Sequence, residues 1–515
     1  MFKKRINKLM DKMKMDEQYS EQSSLKDINL KEQFIDSSLE KNMETFQFIY
    51  SIPTNTDVKI RSFKMGGFPK KVAILYISSI IDTKIIEDNV IKALQQNNDP
   101  SSKIENIISA ESVTILQKIE DILKVINKGN AALFVDGEAE AYLIGAANFQ
   151  GRSIEKPENE VSLKGPKEGF NEKAMTNISL IRKKIKNENL VVEATTISKR
   201  SKNELYILYI KDIVNNELLQ NVKEKINSFD IDSIQNLSVL EQLIDERPKS
   251  LFPTILYTER PDRASHYLED GFIVLLMENS PGSLVLPATF WSFYHSSDDR
   301  YLRFLYGNFT RFIRILALFI TLFTSAIYVA VTNFHAEMVP PDLLLAISAN
   351  REKVPFPSFI EVLMMETAFE LIREAGLRVP NPIGPTIGIV GALILGQAAV
   401  QANIVSPIVV IVVALGGLSS FAVGDVSMNF AIRLSRFFII VSSGLFGIYG
   451  MTAIFTMALF YIVSLKSFGV PYLAPMTPRY ISSQDTIFRK IIKNENFRPG
   501  YLQPKDIEKK AGDTK

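Results

Sequence analysis

The stretch that decides the fold is VPNPIGPTIGIVGALILGQAAVQANIVSPIVVIVVALGGLSSFAVG, residues 379–424, which is 46 residues long and has no ionisable side chain. An ionised group at a bilayer centre costs ~3 kcal/mol even on the lenient insertion scale, so charge-free runs mark membrane spans. About 20 residues cross a bilayer. Residues 379–424 therefore read as two spans, 383–402 and 405–423, with a tight turn near Asn403, Ser406 and Pro407. Two further runs flank them, residues 315–334 and 437–465, so the expected count is about four spans.

An even count puts both ends on one side, and basic flanks mark that side as cytoplasmic. Arg300, Arg303, Arg311 and Arg314 precede the first span, and the tail from Lys466 carries ten basic residues against five acidic. The loop between the first two spans has seven acids against four basic residues. Arg433 and Arg436 conflict with this reading, since they would lie outside just before the last span; a re-entrant segment around residues 425–435 is the alternative. The opening MFKKRINKLMDKMKMDE has no apolar core, so it does not read as a secretory signal.

Gly384, Gly388, Gly391, Ala392 and Gly396 put small residues at three- and four-residue spacing, a surface that lets transmembrane backbones approach. Gln397, Gln401 and Asn403 need partners there, either other helices or a permeating ion or solute. Between the first two spans, PFPSFIEVLMMETAFELIREAGLRVPNP reads as an amphipathic helix over 358–375. Glu366, Glu370 and Glu374 form an acidic stripe, a candidate carboxylate lining for a cation pore. Val362, Met365 and Phe369 form an apolar face, a candidate constriction. The alternative is a helix lying in the membrane interface.

Ahead of the spans, residues 1–55 are polar and expected to form a disordered arm. Beyond them the chain repeats itself. VAILYISSIIDTKIIEDNVIKAL from Val72 is similar to LYILYIKDIVNNELLQNVKEKI from Leu205, and TILQKIEDILKVINKGNAALFVDG from Thr114 aligns with TILYTERPDRASHYLEDGFIVLLME from Thr254. Two similar α/β modules follow, 56–155 and 172–295, joined by a connector at 156–171. Hairpins are expected at Asp136-Gly137 and at Pro281-Gly282. Glu246-Arg247-Pro248 and Glu259-Arg260-Pro261 pair charge with proline, so Glu246, Arg247, Glu259 and Arg260 are candidates for docking the module on its neighbour or on the membrane domain, or for a structural ion-paired loop.

Several chemistries are excluded. No GxxxxGK, GxGxxG, GxSxG or HExxH motif occurs, and the reading is not an enzyme. Zero cysteines rule out disulfides, cysteine-bound zinc and iron–sulfur clusters, and three scattered histidines, His266, His295 and His335, give no metal-ligand spacing. No metal and no cofactor are expected. A net charge of +2 gives no bulk attraction for nucleic acid.

Read together, KGPKEGFNEKAMTNISLIRKKI, ERPKSLFPTILYTERPDR, PSFIEVLMMETAFELIREAGLRVPNPIG and VGALILGQAAVQANIVSP closely resemble the A subunit of GerA-type spore germination receptors, over about residues 60–480. The resemblance implies a multi-pass protein of the spore inner membrane that helps detect nutrients and start germination. It also implies a homo-oligomeric ring of about five copies forming an ion channel among membrane lipid, with a permease-like B subunit and a lipoprotein C subunit as partners. A stage V sporulation paralogue of the A subunit shares these motifs; a secondary transporter and a non-conducting scaffold are the readings from other classes. The fold class expected is a multidomain membrane protein. It has an N-terminal cytoplasmic α/β domain of two similar modules, an all-α transmembrane domain over 296–466, and a basic cytoplasmic tail over 467–515.

Overall fold

The computed structural model of the chain describes residues 29–66, 70–97, 103–149, 156–157, 160, 162–377, 394–480, 482 and 486–509. Leu39, Met43, Phe46 and Ile49 recur at helical spacing and are all buried in the first helix, α1 (Leu39–Ile49). The arm expected over 1–55 is thus folded in part. Its composition is polar, but its apolar residues share one face.

Strands β1 (Val58–Lys64), β2 (Lys71–Ile77), β3 (Val113–Leu116), β4 (Ala131–Val135) and β5 (Ala141–Ile144) pair antiparallel in the order β1-β2-β4-β5-β3. Ala73, Leu75 and Ile77 of β2 pack on one side with α1 and α2 (Ile119–Ile126), whereas Val72 and Ile74 pack on the other. A strand covered on both faces reads as a continuous apolar run, which explains VAILYI.

The second module holds α3 (Ala174–Lys184), β6 (Leu190–Ile197), β7 (Asn203–Ile210), α4 (Asn216–Asn227), α5 (Leu237–Ile244), β8 (Leu256–Thr258), α6 (Pro261–Glu269), β9 (Ile273–Met277) and β10 (Ser283–Leu286). Its sheet order, β6-β7-β9-β10-β8, is the first module's order position for position. The matched sequence stretches fall on β2 and β7, and then on β3-α2-β4 and β8-α6-β9. Both expected turns close hairpins, β4–β5 and β9–β10, and Gly137 takes φ +87°, a left-handed conformation that favours glycine.

The modules are joined through polar groups just ahead of β1, on α3 and at the start of β6. Asp57 and Arg182 pair at 3.0 Å, both almost fully buried. Thr56 N donates to Val192 O at 2.8 Å, and Asn55 Nδ2 donates to Leu190 O at 3.3 Å.

Beyond the modules lies a helical bundle: α7 (Phe304–Phe334), α8 (Pro341–Arg351), α9 (Ser358–Leu377), helical residues 394–401, α10 (Pro407–Ser420) and α11 (Val426–Ser464). Two of these, α7 and α11, are long and apolar enough to cross a membrane; α10 is apolar but has only 14 residues. Most of the span expected at 383–402 lies outside the described residues. The turn between the middle spans is present, with Asn403 at φ +53°, Ser406 as N-cap and Pro407 opening α10.

α11 differs from the run expected at 437–465: it starts earlier and breaks at Gly447, where φ is +64° and ψ −145°. Residues 426–446 run outward beside α7, with Met428 and Ile432 near Leu318 and with Ser443 Oγ donating to Ala326 O at 2.6 Å. After Gly447 the chain turns back. Phe455 stacks edge-on against Phe323 at 5.0 Å, and Ser464 reaches Arg247 of the second module. A Cβ on Gly447 would lie 3.0 Å from Phe334 and His335, so the reversal needs glycine for both its conformation and its space.

The tail packs on the second module. Ser467 Oγ donates to Thr254 O at 2.6 Å, and Lys505 N donates to Ile213 O at 2.9 Å.

Candidate functional site

Helix α9 begins at the end of the bundle far from the modules, where Ser358 Oγ donates to Asn333 Oδ1 at 2.5 Å. It runs back toward them. Repetition at three and four residues gives one face carrying Val362, Met365, Glu366, Phe369 and Glu370, and that face turns into the subunit. Val362 and Met365 are buried, and Phe369 fills the space beside Gly417, where a Cβ would come within 2.9 Å of its ring.

The acidic stripe is divided. Glu366 is fully buried, accepts from Ser325 Oγ at 2.6 Å and lies 2.6 Å from Arg436 Nη2. Glu370 lies 3.2 Å from the same Arg436 nitrogen and pairs with Arg433, whose Nε donates to it at 3.1 Å. Glu374 is exposed. Further along, Arg373 Nη2 donates to Gly417 O at 3.0 Å and Ser420 Oγ at 2.8 Å, and its guanidinium lies 4.4 Å from the centre of the Phe421 ring. Glu361, fully buried, accepts from Ser406 N at 2.8 Å.

Arg433 and Arg436, which conflicted with a four-span reading, are thus inside the bundle as partners of α9. Isolated buried charges are costly, and close pairing with opposite charge offsets part of that cost, although Glu366 Oε2 and Arg436 Nε and Nη1 are left without hydrogen bonds. Sequence reading did not pair them with the glutamates. The one available clue was their awkward position ahead of an apolar run.

Of the glycine positions, Gly396 is described: a Cβ there would lie 3.2 Å from Val410, so the helix at 394–401 approaches α10 closely. Gly384, Gly388 and Gly391 lie outside the described residues.

The proline loops sit where the second module meets the bundle. Arg247 donates from Nη1 to Ser464 Oγ and from Nη2 to Ser464 O, each at 3.1 Å, holding the last residue of α11; Glu246 is exposed beside it. Arg260 chelates Asp262 at 3.1 and 2.8 Å and reaches Asp298 at 3.3 Å, in the segment that leads into α7. Glu259 N donates to Glu160 Oε2 at 3.0 Å, which ties the connector to the same loop. The neighbouring Asp299 is bound by Arg311 at 3.1 Å and by Arg314 at 3.0 Å. Burial would raise the Asp299 carboxyl, but these two cations outweigh it and hold it below its usual value. Among the described residues no group of three His, Asp or Glu could hold a metal.

Glu241 on α5 faces the same junction. Burial, then the carboxylates of Asp425 and Asp245, push its carboxyl up to about 7. An acid whose folded pKa is raised binds its proton more tightly when folded. The contact is therefore unpenalised below about pH 4.5 and weakens as pH rises through about 7. Thermal melts of the full chain in detergent should show stability falling between these limits by up to about 3 kcal/mol. A Glu241→Gln variant should flatten the profile, and an unaltered pH dependence in that variant would exclude Glu241 as its source.

The chain matches the family profile described as Bacillus/Clostridium GerA spore germination protein over residues 46–501, further at both ends than the motifs alone indicated. It is 38% identical to spore germination protein KA of Bacillus subtilis, over 93% of this chain and 89% of that protein. It is 34% identical to spore germination protein B1 of the same organism, over 92% of this chain and 99% of that protein. Among solved structures, it is similar to the N-terminal domain of the A subunit of the Bacillus megaterium spore germinant receptor GerK3. There the identity is 27% and the TM-score 0.40, over 50% of this chain and 98% of that one. With a profile spanning most of its length and relatives of more than 30% identity aligned nearly end to end, the chain belongs to the GerA family of spore germination proteins.

Proposed function

We propose that the chain is the A subunit of a nutrient germinant receptor in the spore inner membrane, with both termini cytoplasmic. Several copies, about five, assemble with a permease-like B subunit and a lipoprotein C subunit into a germinant-gated cation channel. The observation that carries this reading is the buried cluster of Glu366, Glu370, Arg433 and Arg436 inside a bundle whose outer surface is apolar, with Leu305, Phe446 and Phe460 among its exposed side chains. Ionisable groups at membrane depth are expensive, and they mark ion pathways or switching elements. Arg300, Arg303 and Lys466 at the module end support the orientation.

Within this reading Glu366 and Glu370 set the closed packing through their arginines, and Val362, Met365 and Phe369 seal it. Glu374 is the exposed member of the stripe. Arg247 and Arg260, with Glu246 and Glu259 beside them, couple the second module to α11 and α7. The glycine-rich stretch at Gly384, Gly388, Gly391 and Gly396 packs helix on helix.

The test is ion flux from liposomes holding the assembled receptor. Addition of a nutrient germinant should release a trapped cation, and an assembled, nutrient-binding receptor that releases none would overturn the channel reading.

A further inference from the structure

We infer that Gln397 and Gln401 line the water-filled path of this channel, an inference that rests on the conduction reading above. The helix at 394–401 has a clear attachment side. Gly396 is buried against α10, and Ala399 and Val400 are half-buried. The opposite arc carries Gln397, Ala398 and Gln401, flanked by Ile394 and Leu395, all exposed. Gln397 and Gln401 are one turn apart, so their amides stack on the same side.

Neither amide has a hydrogen-bond partner among the described residues. Several hydroxyls of the bundle find one locally: Thr321 donates to Ala317 O, Thr332 to Tyr328 O and Ser443 to Ala326 O. A primary amide brings two donors and an acceptor, and burial in hydrocarbon without partners is strongly unfavourable. Lipid is therefore a poor neighbour for the amide side of the helix, and water is a good one; Ile394 and Leu395 mark the flank that faces lipid or another helix.

The composition also suits passage. Two neutral amides beside an alanine offer ligands that partly replace an ion's hydration shell without the deep well that a bare carboxylate would create. The glutamates nearest the bundle centre are already neutralised by Arg433 and Arg436 and so do not compete for that role.

The native chain has no cysteine, so a Gln401→Cys variant in the reconstituted receptor carries one thiol per copy. A charged, water-soluble methanethiosulfonate should modify it from the aqueous phase and remove most of the nutrient-evoked current. A Gln401→Glu variant should shift the reversal potential toward the cation equilibrium value, and a Gln397→Leu, Gln401→Leu double variant should abolish most of the current while assembly persists. A thiol that resists the charged reagent while the receptor conducts overturns the inference and leaves the channel reading standing. So does a thiol that instead crosslinks between copies on oxidation, which would make the amides a contact between subunits. A thiol that reacts freely in a nutrient-binding receptor that never conducts overturns the channel reading itself.

Discussion

An Asp57→Ala variant is expected to lose about 3–5 kcal/mol of stability in the α/β region, a fall in melting temperature on the order of 10 °C. Asp57 binds Arg182 Nε at 3.0 Å and accepts from Ser78 Oγ at 3.0 Å, Ser79 N at 2.9 Å and Ser79 Oγ at 2.8 Å. Arg182 is only 2% exposed, so the substitution leaves a cation stranded between the modules. Removing both charges is a milder change, because an apolar pair of similar volume avoids the stranded ion. An Asp57→Ala, Arg182→Met double variant should therefore melt between the single variant and the native chain. Thermal denaturation of the full chain in detergent, followed by circular dichroism, checks both. If the single variant melts with the native chain, the pair does not hold the modules together. If the double variant is worse than the single, the loss lies in the serine contacts instead.

The Asp57–Arg182 contact also marks a boundary of what could be read from sequence. The duplicated modules were legible because each repeat carries its own apolar strand and helix periodicity, and the two hairpins were legible because turn residues sit between apolar runs. The joint between modules was not. Asp57 and Arg182 are 125 residues apart, and each looks like an ordinary surface charge within its own segment. The bundle repeats the lesson. Spans were located by the absence of charge, a criterion that stops any run at Arg433 and Arg436 even though their charge is cancelled within the fold. Gly447 sat in an apolar run as one more small residue, and only its positive φ makes it the reversal point of α11. The candidate residues of α9 were identifiable as a helix face. Which way that face points depends on partners more than 60 residues away, and no spacing rule carries that information.

Those partners set the other large effect expected. An Arg436→Leu variant leaves Glu366 buried without its ion-pair partner, keeping the hydrogen bond from Ser325, and removes one of two cations from Glu370. Stranding a buried charge costs about 3–5 kcal/mol in a water-soluble fold. Within an apolar bundle there is little water to relieve it, so the detergent-extracted variant should be scarce or polydisperse on gel filtration. Glu366→Gln is a gentler change in one respect, because the amide keeps the hydrogen bond from Ser325, yet it leaves Arg436 and Arg433 to share the single carboxylate of Glu370 and should also lower the yield. Exchanging the charges, with Glu366→Arg and Arg436→Glu together, restores one cation and one anion at the same depth, so it should recover folded protein relative to either single change. Non-additivity of that kind is what a direct pair predicts. If the exchange is no better than the singles, the surrounding geometry rather than the charge balance is what Arg436 supplies. If both single variants extract at native yield, the cluster is not a packing element at all, and Glu366 and Glu370 return as candidates for direct contact with the conducted ion.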